Sequence, residues 1–292
     1  MVRGSGASWR SLLAKRPSEA SQRQRPARAE SSLAYYRDLL GLDVGDVDGE
    51  TVLVAPDGEE LVRLQERPDA VGKPRATSGL YHFAVLVPDR RALAAVYVRL
   101  HQAGWPFEGF ADHLVSEALY LADPDGNGIE IYTDRPRERW QHRNGEVRMT
   151  TAPLDLDDLM AELEGPGGAA GLPAGTVIGH IHLHVADLAR AESFYGDVLG
   201  FDTTVRSYPG ALFMSAGGYH HHVGLNVWAG AGAPPPPENA VGLLDFAIVV
   251  PDDDARAAIV ERARRDGRPV HDDDGVPSIT SPDGLPVLVT AG

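Results

Sequence analysis

The sequence predicts an α+β protein built from four βαβββ modules, paired into two domains whose mixed sheets curve into open barrels. Two internal repeats and the linkers between them carry this expectation. The stretch YHFAVLVPDRRALAAVYVRLHQAG from Tyr81 aligns without a gap to LDFAIVVPDDDARAAIVERARRDG from Leu244. Phe83 falls on Phe246, Pro88 on Pro251, Asp89 on Asp252 and Gly104 on Gly267. SLAYYRDLLGLDV from Ser32 matches ESFYGDVLGFDT from Glu192, with Tyr36 on Tyr195 and Gly41 on Gly200. Both pairs are offset by about 160 residues, so the chain is a tandem duplication with two modules in each half.

Taken in order, the first 28 residues hold seven basic side chains (Arg3, Arg10, Lys15, Arg16, Arg23, Arg25 and Arg28) against Glu19. They lack the long apolar run of a secretory signal and read as a disordered basic tail. Residues 29–134 then form the first domain, modules one and two. In each module the first helix ends at a glycine, where the missing Cβ permits a left-handed turn. The repeat that begins at Tyr81 and at Leu244 reads as a short apolar strand, a Pro-Asp helix start, an amphipathic helix and a glycine stop. Residues 135–176 are rich in charge, proline and glycine. They form a linker with one short helix over Leu154–Gly165. Residues 177–292 form the second domain, modules three and four, separated by Ala229–Ala240, whose proline run makes a stiff spacer. Each pair of sheets is expected to close around a cavity lined by inward-facing side chains.

Bulk properties exclude several classes. The net charge is −15 and the pI about 5.1, so a nucleic-acid partner is not expected. The chain has no cysteine, which removes disulfides and thiolate metal sites and suits a cytoplasmic protein. No apolar run reaches the roughly 20 residues of a membrane helix.

IGHIHLHVADLARAESFYGDVLGF (Ile178–Phe201) and DPDGNGIEI (Asp123–Ile131) resemble the opening and ending of a vicinal oxygen chelate module. Together with YHFAVLVPDR, IYTDRPRERW and GYHHHVGLNVW, they are similar to two-domain CatE-like catechol 2,3-dioxygenases. The resemblance covers about residues 30–290. It implies extradiol cleavage of a catechol-type aromatic ring by dioxygen at a divalent metal, Fe(II) first and Mn(II) or another divalent ion next. Mixed nitrogen and oxygen ligands suit such ions.

By the same resemblance, His82 is a first-strand metal ligand and Glu130 the last-strand carboxylate ligand. His113 resembles the acid/base histidine. Tyr132 shares a strand face with Glu130 and is placed to bond a substrate oxygen. The family's third ligand, a histidine on the first strand of module one, has no counterpart. ASQRQRPARAE reads as no strand, so water or a residue of the unusual N-terminus is expected in its place. In the second half His180 occupies the first-strand position, Asp245 replaces the fourth module's histidine, and Leu288 stands where Glu130 does. A second metal set of His180, His222 and Asp245 is therefore expected, with His221 lining its pocket. If YHHH is a strand, His220 and His222 point one way and His221 the other. His180, His182 and His184 share one face.

Two other readings stay open at this level. One is a binding or resistance-type protein of the same fold with no chemistry, favoured by the incomplete triads. The other is a glyoxalase-like metal-dependent isomerase or transferase. The natural partners are a small aromatic compound and dioxygen, and a homo-oligomer is compatible with the composition.

Overall fold

A computed structural model describes residues 22–26, 29–47, 49–163, 171–273 and 275–292. Residues 1–21 and 27–28 of the expected tail lie outside the described residues.

Module one has strands β1 (Gln22–Arg25), β2 (Asp43–Val47), β3 (Glu50–Val54) and β4 (Glu60–Leu64). Its helix α1 (Ala29–Leu33) runs on into a π-helical turn over Ala34–Leu39. Module two has β5 (Gly79–Leu86), helix α2 (Arg90–Gln102), β6 (Phe107–Asp112), β7 (Ser116–Ala122) and β8 (Gly128–Asp134). A small hairpin, β9 (His142–Arg143) and β10 (Glu146–Val147), and helix α3 (Leu156–Met160) follow. Module three is β11 (Val177–His184), α4 (Leu188–Glu192) with a second π-helical turn, β12 (Asp202–Val205), β13 (Ala211–Ser215) and β14 (Val223–Asn226). Module four is β15 (Gly242–Val250), α5 (Asp253–Arg265), β16 (Val270–Asp273), β17 (Val276–Thr280) and β18 (Pro286–Ala291).

The helix signals act as expected. Asp89 accepts the Ala92 N–H and Asp252 the Ala255 N–H, each satisfying one donor of an otherwise open first turn. Gly104 and Gly267 end α2 and α5 at positive φ, 69° and 72°. Helix α3 is shorter than the expected Leu154–Gly165. Asp155 caps it by accepting the Asp158 N–H, and it ends at Met160. Residues 164–165 lie outside the described residues.

The modules pair differently from the expected order. One eight-stranded sheet runs β16-β17-β18-β15-β1-β4-β3-β2 and the other β12-β13-β14-β11-β5-β8-β7-β6. Module one therefore pairs with module four, and module two with module three. Each join is antiparallel and runs between two first strands, β1 with β15 and β5 with β11. Every module offers the same free edge for this join, so the repeat pattern does not say which modules meet.

The N-terminus corrects a second expectation. QRQR is a strand, held between β15 and β4. Its backbone hydrogen bonds decide the conformation although the side chains carry no apolar pattern. Gln22 and Gln24 are buried on one side of the sheet, while Arg23 pairs with Asp245 at 2.6 Å.

YHHH is not a regular strand either. Residues 216–222 form a bend between β13 and β14. One main core, including Phe83, Leu93, Phe194, Ile259 and Val287, joins buried faces of both sheets and the helices. A second cluster (Val115, Trp140, Val147, Phe213 and Tyr219) packs the β9–β10 segment against the second sheet.

Candidate metal centre

Strands β5 and β11 lie side by side at the middle of the second sheet, with His182 registered on His82 and His180 on Ala84. Parallel to β5, β8 puts Glu130 opposite Ala84. Side chains on one face of neighbouring strands converge, and the small Ala84 leaves His180 and Glu130 room to meet. The His82 and His180 Nε2 atoms stand 3.1 and 3.2 Å from the same Glu130 oxygen, Oε2. All three residues are buried. Among the described residues they are the one group of three histidine or carboxylate side chains whose ligand atoms lie within 4.8 Å of one another.

This answers the missing third ligand. His180 was expected in a separate set with His222 and Asp245; it completes the pair from module two instead. Asp245 sits in the other sheet, bound by Arg23, where no metal is needed to balance it. The His222 Nδ1 accepts the Ala216 N–H at 3.2 Å. Its ring lines a different cavity, with Phe201, Phe246 and Ile248.

The trio fits a divalent ion. Ligand atoms about 2.1 Å from one metal and at right angles to each other lie about 3.0 Å apart, close to the two histidine–carboxylate separations, 3.1 and 3.2 Å. The buried His82 Nε2 lies 3.1 Å from the Glu130 Oε2 without the alignment of a hydrogen bond, an arrangement a shared cation would satisfy. Burial pushes the Glu130 carboxyl up, but the facing His180 and His82 rings outweigh it and hold the group well below the usual carboxylate range. Burial lowers His180 to about 4 against the pull of Glu130. At neutral pH the acid is ionised and the His180 ring neutral, the forms that bind a cation.

His82 and Glu130 open onto a cavity of about 370 Å³ that His113, Tyr120, His182 and His221 also line. Gly224 lets His182 into this wall, since a Cβ there would lie 2.8 Å from the ring. His113 follows β6. Its Nδ1 lies 2.6 Å from the Thr150 carbonyl and must donate, so in the neutral ring Nε2 accepts the Tyr120 hydroxyl at 2.7 Å. His221 is fixed in a similar way. The His220 Nε2 donates to Asp134 at 3.1 Å, which leaves its Nδ1 to accept from the His221 Nδ1 at 2.7 Å. The His221 Nε2 is then a free lone pair. Burial and the neighbouring histidines push this ring well below the ordinary histidine range.

Tyr132 does not face the cavity. It is fully buried, packs on the His180 ring at 4.8 Å and shares a hydrogen bond with the Tyr219 hydroxyl at 2.7 Å. The expected substrate contact is therefore a support for His180. Tyr120 was not singled out from the sequence. Its signal was available: it lies ten residues before Glu130 across a tight turn, which registers the two on adjacent antiparallel strands.

Two βαβββ modules cupping two histidines and one carboxylate define a class of protein that presents a divalent metal to a small ligand. The chain belongs to the Glyoxalase/Bleomycin resistance protein/Dioxygenase superfamily, whose model matches residues 24–131 and 177–284. It is 49% identical over 243 residues to a catechol-2,3-dioxygenase of Bacillus subtilis, covering 82% of this chain and 84% of that one. It is 28% identical over 205 residues to a 2,2',3-trihydroxybiphenyl dioxygenase of Sphingomonas paucimobilis, covering 68% of this chain and 60% of the relative. Two solved structures share the fold. One is a putative dioxygenase of Bacillus subtilis, with TM-score 0.64, 13% identity and coverage of 94% and 84%. The other is glyoxalase I of Zea mays, with TM-score 0.57, 14% identity and coverage of 94% and 92%.

Proposed function

We propose that the chain is an extradiol ring-cleavage dioxygenase. It takes a catechol-type ring and dioxygen and breaks the carbon–carbon bond beside the diol, leaving both oxygen atoms in the product. The observation that carries this reading is the His82, Glu130 and His180 trio, two of whose members, His82 and Glu130, line a cavity wide enough for an aromatic ring. The 49% identity to a catechol-2,3-dioxygenase supports it. In this reading His180 serves as the third ligand, which removes the incomplete triad that favoured a purely binding protein.

His82, His180 and Glu130 would hold the metal, with Fe(II) the favoured ion and Mn(II) the next. Bound there, it would acidify the catechol and bring it together with dioxygen. The rest falls to side chains of the cup. The His221 Nε2 lone pair, neutral at physiological pH, accepts a proton from a catechol hydroxyl and returns it later. Tyr120, whose proton goes to the His113 Nε2, keeps its oxygen lone pairs to accept from a substrate hydroxyl on the other wall. The Phe213 and His221 rings meet at 4.8 Å and help to keep water from this face. A cytoplasmic location accords with the cysteine-free, acidic chain and is part of this reading.

The test is reconstitution without oxygen, with Fe(II) or Mn(II), followed by catechol and labelled dioxygen. Two labelled atoms in a ring-opened product are expected. His82→Ala and Glu130→Ala should each lose the metal while keeping the folded circular-dichroism spectrum. Full metal content and rate in both variants would end the proposal.

A further inference from the structure

The outer half of the cup is built differently from its floor. Tyr81 and Trp228 are large side chains left 41% and 45% exposed, although aromatic rings of this size usually bury most of their surface. Both line the cavity mouth together with Tyr208. Local bonds hold this wall in place. The Trp228 Nε1 donates to the Pro209 carbonyl at 3.1 Å, and the Tyr208 and Thr151 hydroxyls share a hydrogen bond at 3.0 Å. The Tyr81 and Trp228 rings meet edge to face at 5.6 Å. Among the described residues, nothing covers the remaining 41% and 45% of the Tyr81 and Trp228 surfaces.

Charge at the same place is one-sided. No lysine or arginine is among the described residues that line the cavity, whereas Glu108 stands at its rim and Glu130 at its floor. The whole chain carries −15. A carboxylate on the substrate would leave water for a mouth whose described lining offers no lysine or arginine to meet it and one acid to repel it. At about 370 Å³ the cavity falls within the range of about 300–1,000 Å³ that holds ligands larger than one small ring.

We infer that the cup selects catechol-type rings bearing an uncharged apolar or aromatic substituent, which rests on the Tyr81, Tyr208 and Trp228 wall, and that Glu108 turns away carboxylated ones. This rests on the ring-cleavage reading for the reaction but on the rim alone for the selection. The diol end goes to His82, Glu130 and His180, and the substituent lies along the aromatic wall.

The test uses two probes of similar size, 4-ethylcatechol and 3,4-dihydroxyphenylacetate. Their kcat/KM values are compared in the metal-loaded protein, and their Kd values by calorimetry without oxygen. The neutral probe should be favoured by roughly 100-fold in both measurements, the size expected when a charge enters a site unpaired. Glu108→Lys should narrow the ratio at least about tenfold by replacing repulsion with attraction. Trp228→Ala should cut the advantage of 4-ethylcatechol over catechol. Equal kcat/KM and equal Kd for the two probes would overturn the inference and leave ring cleavage standing. Cleavage of neither probe, with the neutral one still bound more tightly, would overturn the reaction and support the selection.

Discussion

Asp134, His220 and His221 form a chain of contacts in which each proton position fixes the next, ending in a lone pair at the cup. His221→Phe keeps a flat ring against His180 and Phe213 but removes that lone pair. We expect kcat to fall by about 10²- to 10⁴-fold, the usual worth of a positioned acid or base, with metal content unchanged by elemental analysis. A second residue-scale prediction concerns stability. Burial, then the neighbouring Asp57 and Glu60, raise the Glu59 carboxyl to about 7. The folded state thus holds this proton more tightly than the unfolded chain does. The stability it contributes is present in full below the ordinary pKa of about 4.5 and is lost as pH rises through 7. Glu59→Gln should stabilise the protein at pH 8 by about 1 kcal/mol, discounted for its half-exposed position. The difference from the parent should vanish near pH 4 in thermal unfolding followed across pH.

Strand β1 is the element whose sequence fits its place least well. Gln22 and Gln24 are 2% and 1% exposed, and among the described residues both polar atoms of each side-chain amide lack a partner. A buried polar group left unpaired costs about 1–3 kcal/mol. Gln22→Ile with Gln24→Leu should therefore raise the unfolding free energy by about 2–4 kcal/mol, read from denaturant midpoints at unchanged m. An unchanged or lower midpoint would show that these amides find partners in the folded chain. The same strand shows why the sequence misled. QRQR has neither β-branched nor apolar alternation, and only the hydrogen-bonding edges of β4 and β15 make it extended. Elements with strong local signals were legible. The capped helices begin at Asp89, Asp187 and Asp252, and two of them stop at Gly104 and Gly267. The YHHH segment misled in the opposite direction: taken as a strand, it would send His220 and His221 to opposite faces, but a bend brings their Nδ1 atoms together.

Across the whole molecule, each sheet is woven from both halves of the chain. A protease site introduced within residues 164–170 and then cut should leave the two fragments together under native conditions, with the metal retained. Fragments that separate on gel filtration without denaturant would contradict the sheet order. The metal centre itself crosses the halves, since His82 and Glu130 come from the first and His180 from the second. In the equivalent position of the other sheet, Arg23 pairs with Asp245, and Arg63 bonds Glu60 at 2.6 Å. The fixed guanidinium of Arg23 occupies the carboxylate that a cation would need. One metal equivalent per chain is therefore expected, and two on elemental analysis would refute it.

The sequence by itself determined the module repeats and their helix caps, because these depend on local backbone chemistry; the family resemblance, not periodicity, set His82 beside Glu130. The tertiary structure alone decided which modules share a sheet, and so which histidine stands third beside them. Four equivalent strand edges carry no label in the sequence; the choice among them is made by the packing of the whole chain.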